Sequence, residues 1–311
     1  MGWSEVLLPG SGRSTMTLLP AAEALLHAGN AGGRLADLVQ WQNCGADQKC
    51  PWNLVLAVGM SAEQRAAAAW IVADEIMASR TGTDQLTYNL WRKSAVAGTK
   101  LAGTERELVH AYAFSVFGTP SAVSGEGHGL PGYVGEWLWY LTTRDIPPAT
   151  GRRVEYLSAP GMEVRDSGGD GLIIHRVAAG RPELVFRLWE MKKYTGEKPS
   201  LTPTITGAWK QLSVHGARYL AQMSWGGKLL DPDIGLFVSG LVGHWVQAHP
   251  SSAGGVSVAT NAVNVPAKAF QLAHKHFTTH THPGAMQGLV VAVDDLDEFA
   301  QAVRGYVWSA L

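Results

Sequence analysis

Apolar and polar positions follow two rhythms along this chain. The first third is mostly helical in spacing. Residues 20–40 carry Ala24, Leu25, Leu35 and Leu38 at helical intervals, broken by a Gly-rich turn at Gly29–Gly33. Leu54–Val58 is a short apolar run and reads as a strand. Ser61 is placed to cap a helix running to about Ser79, with Glu63 in its first turn. Ala66, Trp70, Val72, Ala73, Ile76 and Met77 form its apolar face. Glu105–Val116 predicts another helix.

Gly118–Gly132 is rich in Gly, Pro and Ser and reads as a loop. It divides the chain into an N-terminal region, residues 1–125, and a second region, residues 126–311. Beyond it the rhythm changes. Tyr133–Thr142 predicts a helix. Arg153–Leu157, Asp170–Val177 and Leu184–Tyr194 predict strands, the last two joined at Gly180-Arg181-Pro182 as an antiparallel hairpin. Helical spacing returns over Thr206–Trp225, and Asp233–Leu241 reads as an apolar strand. Ser251–Asn264 reads as a loop, followed by a short helix, a His-rich stretch, a strand at Gly288–Val293 and a final helix opened by the acids of Asp294–Glu298. The expected fold is α/β, with a mixed central sheet. Its second region has the order helix, three strands, helix, strand, preceded by an N-terminal α/β extension.

Composition narrows the function classes. The 311 residues are 46% hydrophobic, enough for a sizeable core. Lys and Arg total 25 against 26 acids, a formal charge of -1, so bulk electrostatics does not suit the chain to nucleic acid. Any such affinity must come from a local patch, a metal ion or a partner. No apolar run reaches the roughly 20 residues of a membrane helix. The N-terminus lacks the basic start and apolar core of a signal peptide. A soluble cytoplasmic protein with free thiols at Cys44 and Cys50 is therefore expected. No GxxxxGK[ST] loop is present, so this chain is not expected to hydrolyse ATP.

Three polar residues interrupt the apolar strands. Asp170 opens one arm of the hairpin, and Glu190 and Lys192 lie on the other. Alternation points Glu190 and Lys192 to one face and Met191 to the opposite one. The hairpin brings Asp170 beside Glu190. Two adjacent carboxylates repel, and burial raises that cost. A divalent cation resolves both problems, and oxygen ligands of this kind suit Mg²⁺ or Mn²⁺. Such a site activates water and stabilises charge on a phosphate, with the lysine holding the water or offsetting that charge.

Asp170 and the Glu190-Met191-Lys192 triplet resemble the D…(D/E)xK signature of the PD-(D/E)xK nucleases. The predicted element order resembles that family's αβββαβ core over about residues 130–245. The segments GEWLWYL, GGDGLIIHR and WEMKKY look most like nuclease subunits of bacterial anti-phage systems, of the Hachiman type, which act with a helicase. The resemblance implies a Mg²⁺- or Mn²⁺-dependent enzyme that hydrolyses DNA and works with a helicase or other ATPase partner. It makes Asp170, Glu190 and Lys192 catalytic. It makes Asp170 and Glu190 metal ligands, together with the Met191 carbonyl and Glu136 from the preceding helix. Gln211 departs from one branch of the family, in which a Tyr follows four residues later. Here that position is His215, and the tyrosine is Tyr219.

His175, Lys193 and Gln211 are further candidate substrate contacts, with Lys193 pointing away from Lys192. His274, His276, His280 and His282 form a second cluster, read either as a surface loop or as a zinc site. Two rival functions stay open. One is a stand-alone restriction or repair nuclease of the same fold. The other is a non-catalytic binding subunit.

Overall fold

The computed structural model describes residues 18–45, 49–118, 129–148, 151–161, 170–178, 183–195, 200–223, 231–261 and 265–311. The turn expected at residues 180–182 and the 118–132 loop, apart from its ends, lie outside them. The described strands form one mixed seven-stranded sheet in an α/β fold. In chain order they are β1 (Gln40–Cys44), β2 (Trp52–Ala57), β3 (Arg152–Leu157), β4 (Gly171–Val177), β5 (Glu183–Tyr194), β6 (Ser252–Thr260) and β7 (Met286–Val293). Across the sheet the order is β1-β2-β7-β6-β5-β4-β3. The middle run β2-β7-β6-β5 is parallel, and both edges are antiparallel.

Helices cover both faces. One layer holds α1 (Ala21–Asn30), α2 (Ala62–Thr81), α3 (Gln85–Ala97), α4 (Gly103–Phe117), α5 (Leu130–Asp145) and α10 (Leu296–Trp308). The other holds α6 (Thr202–Met223), α7 (Pro232–Ser239), α8 (Leu241–Val246) and α9 (Ala273–His276). Alternation along the strands divides the core in two. Ile173, Trp189, Met191 and Val291 pack with α5 and its neighbours. Leu172, Leu188, Val256 and Val290 pack with α6. Central strands buried on both sides are expected to read as continuous apolar runs, and β7 does.

The hairpin of β4 and β5 matches its sequence reading, as do β3, α4, α5 and α6 within a few residues. The Ser61 cap is also present. Its side chain accepts from the Gln64 amide, and the Gln64 side chain accepts from the Ser61 amide. Both cysteines are free thiols, and no described helix is long and apolar enough to cross a membrane.

Two expectations are corrected. Residues 233–241 are not a strand: they belong to helices α7 and α8. Asp231 caps α7, with Pro232 at its first position. Ile234 and Val238 are buried one turn apart while Leu236 between them is 76% exposed, a helical pattern in a run too short to betray its period. The fourth strand of the second region is instead β6, within the stretch read as a loop. Its glycines make room for side chains: a Cβ on Gly255 would collide with the Trp189 indole. The N-terminal region supplies β1 and β2 to the same sheet, through the parallel pairing of β2 with β7.

Candidate functional site

The site is built where β4 begins and β5 continues past it. The β4–β5 register pairs Gly171 with Trp189, so Asp170, one residue before β4, stands opposite Glu190. Asp170 Oδ2 accepts a hydrogen bond from the Met191 amide at 2.5 Å. Lys192 Nζ donates to Glu190 Oε1 at 2.5 Å. The walls are apolar: on β6, Val256 is paired with Glu190 and Val258 with Lys192, both fully buried. Glu190 is itself wholly buried, whereas the Lys192 side chain keeps 32% of its exposure. The site is closed around Glu190, while Asp170 and Lys192 keep part of their exposure.

One atom in this set is unsatisfied. Glu190 Oε2 is buried and, among the described residues, has no hydrogen-bond partner. An orphaned carboxylate oxygen in an apolar wall is costly unless a cation or a proton meets it. The same strain shows in the titration of the group. Burial, then the Glu190 charge, pushes the Asp170 carboxyl up to about 7, against the pull of the Met191 amide and Lys192. Burial also raises Glu190, although Lys192 opposes the shift. Burial alone would lower Lys192, but Glu190, Asp170 and Tyr219 together raise it. The lysine stays charged, and the acids are held back from ionising without a counter-charge.

A stability prediction follows from the sign of these shifts. As pH rises, the unfolded chain loses its carboxyl protons near pH 4, while folded Asp170 keeps its proton until about pH 7. Stability contributed by the protonated acid is therefore present below about pH 4 and lost as pH rises towards 7. In EDTA, thermal melts from pH 5 to 8 should show the wild type losing ground steadily to Asp170→Asn, by roughly 1 kcal/mol or more. A difference that stays constant across that range would refute the shift.

Tyr219, on α6, is the residue that sequence reasoning left out of the site. It is buried, acts on the Lys192 charge, and accepts a hydrogen bond from Gln211 Nε2 at 3.0 Å. The two residues stand eight apart, about two helical turns, which puts them on neighbouring sides of α6. That spacing is the signal that could have found Tyr219. Gln211 thus reaches the site through Tyr219.

Met191 and Lys193 face away from Glu190 and Lys192, as alternation requires. Met191 turns its side chain to the α5 side, where it packs against Gly171. Lys193 shares that side, with its Cδ 3.9 Å from the position a Cβ would take on Gly132. Glu136 lies on α5, whose layer covers the opposite face from Glu190 and Lys192. Among the described residues no three His, Cys, Asp or Glu side chains form a ready-made metal cluster. His175 is also on the α5 face. Its cross-strand partner Val185 is five residues before Glu190, an odd number, so alternation sets the two on opposite faces. The C-terminal histidines do not form a metal cluster either. His274 and His276 sit in α9, while the His280 ring packs 5.2 Å from Trp245 and 5.4 Å from Phe277.

Comparison with protein-family models, curated proteins and solved structures finds no match to this chain. The functional reading therefore rests on the site itself. Two adjacent carboxylates, one half-buried and one buried with an orphaned oxygen, fit a divalent cation. A neighbouring ammonium open to solvent fits an anionic substrate.

Proposed function

We propose that this protein is a metal-dependent nuclease of the PD-(D/E)xK type that hydrolyses DNA phosphodiester bonds. The observation that carries this reading is the pairing of half-buried Asp170 with buried Glu190, with Glu190 Oε2 unpartnered among the described residues and Lys192 Nζ on the other oxygen. The order α5-β3-β4-β5-α6, followed after the short helices α7 and α8 by β6 parallel beside β5, supports it, because the family core has the order αβββαβ.

Asp170 and Glu190 would hold Mg²⁺ or Mn²⁺, with the Met191 carbonyl as a further ligand. When bound, such an ion polarises a phosphate oxygen and lowers the pKa of water. The chain's own residues do the rest. Lys192, partly open, orients the attacking water and offsets negative charge on the phosphate. Glu190 Oε1, at 2.5 Å, holds the lysine in place. Lys192, ion-paired to Glu190 Oε1, favours the ionised form that a ligand must have, against the effect of burial.

We further read the chain as the effector subunit of a bacterial anti-phage system, acting with a helicase or other ATPase. Its formal charge of -1 gives it little hold on DNA at physiological salt, so a partner that delivers the DNA suits it. The test is cleavage of linear and circular DNA with Mg²⁺ or Mn²⁺, with and without candidate ATPase partners. The reading predicts metal-dependent cleavage that is lost in Glu190→Gln, and cutting of circles would make the enzyme an endonuclease. Full-rate cutting by the chain alone at physiological salt would remove the partner. Failure to cut with any partner or metal would overturn the nuclease.

A further inference from the structure

A second site lies on the opposite face of the sheet, under the C-terminal end of α5. It is a cavity of about 350 Å³, at the small end of ligand pockets. Edge and inner strands line it with alternate residues: Trp41 and Asn43 from the edge strand β1, Arg152 and Val154 from the edge strand β3, Arg187 and Trp189 from the inner strand β5. None of its described lining residues is Asp or Glu.

Among the described residues, one lining side chain is a buried cation without a counter-charge. Arg187 is only 8% exposed. Its guanidinium donates to Gln287 Oε1 and, at 2.6 Å, to the Gly284 carbonyl, both neutral acceptors. Its Nε is buried and has no partner. Among the described residues it makes no salt bridge, unlike Arg65, Arg92 and Arg144. A second cation, Arg152, lines the same cavity and is exposed. Burying one guanidinium and setting another near it is costly, and a bound anion would relieve that cost. Burial and then Arg152 lower the Arg187 pKa to about 10, while burial and the two arginines hold His175 at about 4. The imidazole is therefore neutral and does not add to the charge.

We propose that this cavity binds a small organic phosphate of mononucleotide size. The two arginines supply the anion contact, and guanidinium groups match phosphate oxygens. Inorganic phosphate alone would leave most of the cavity empty. The 40%-exposed Trp41 gives aromatic surface for a planar ring, while buried Trp189, 5.9 Å from the Arg187 guanidinium, backs that cation. The amides of Asn43 and Asn53, paired across β1 and β2, can hydrogen-bond a base edge. The proposal is independent of the nuclease reading, since the cavity contains none of Asp170, Glu190, Lys192 or Tyr219.

The test is calorimetric titration of the full chain with AMP, GMP, CMP and UMP, and separately with inorganic phosphate and the four nucleosides. At least one nucleotide should bind with one-to-one stoichiometry. Its nucleoside and inorganic phosphate should each bind at least about tenfold more weakly. Arg152→Gln and Trp41→Ala, both at exposed positions, should each melt like the wild type and weaken that nucleotide about tenfold. Binding of no nucleotide at about 1 mM would overturn the proposal. So would an affinity equal to the bare nucleoside's, or one unchanged in both variants.

Discussion

Glu190→Gln should lower metal-dependent DNA cleavage by about a thousandfold. The side chain keeps its shape but loses the charge that a divalent cation needs. Losing several kcal/mol of charge stabilisation in the transition state, at 1.36 kcal/mol per tenfold, gives that order of effect. The fold should survive, because the variant removes a buried ionisable group whose Oε2 has no partner among the described residues. Its thermal midpoint without metal should equal or exceed that of the wild type. Lys192→Ala should also cost activity, by about a hundredfold or more. It is the less clean variant, since it leaves the buried Glu190 carboxylate without its ion-pair partner. Single-turnover cleavage at saturating Mg²⁺ separates the two cases. A Glu190→Gln enzyme within tenfold of the wild type would remove Glu190 from the chemistry.

Trp139→Ala should cost about 3–5 kcal/mol of folding stability, the range for deleting a large aromatic from a core. Trp139, on α5, is wholly buried, and its ring centre is 5.8 Å from that of Trp189. The far edge of its indole rests on Gly171, where any Cβ would collide with it. That contact fixes the backbone next to Asp170. Loss of the indole therefore opens a cavity and frees the strand end that presents a site carboxylate. Urea denaturation should show the midpoint falling with the slope unchanged, and cleavage should fall in the same protein. A loss below about 1 kcal/mol would mean that α5 does not brace the site.

The centre of the site was legible in the sequence because it obeys a local rule. Glu190 and Lys192 share a strand face by alternation, and a hairpin turn returns Asp170 to them. The same rule, applied further, would have put His175 on the other face. β6 was hidden because its Gly and Ser content imitates a loop. Its glycines answer to Trp189, more than sixty residues earlier, and no local pattern reports that. The run at residues 233–241 was too short and too apolar to show its period. Glu136 was correctly placed on a helix, but a helix's position says nothing about whether its carboxylate reaches two others. The pocket around Arg187 was invisible for a related reason. It draws on strands from both edges of the sheet, and an arginine in an apolar strand does not announce whether a carboxylate awaits it.

The most direct test of the central claim needs neither substrate nor partner. Calorimetric titration of Mn²⁺ into the wild type and Glu190→Gln at pH 8 asks whether the acid pair holds a cation. The account predicts saturable binding to the wild type and its loss in the variant. No binding to the wild type, or equal binding to both, would contradict it.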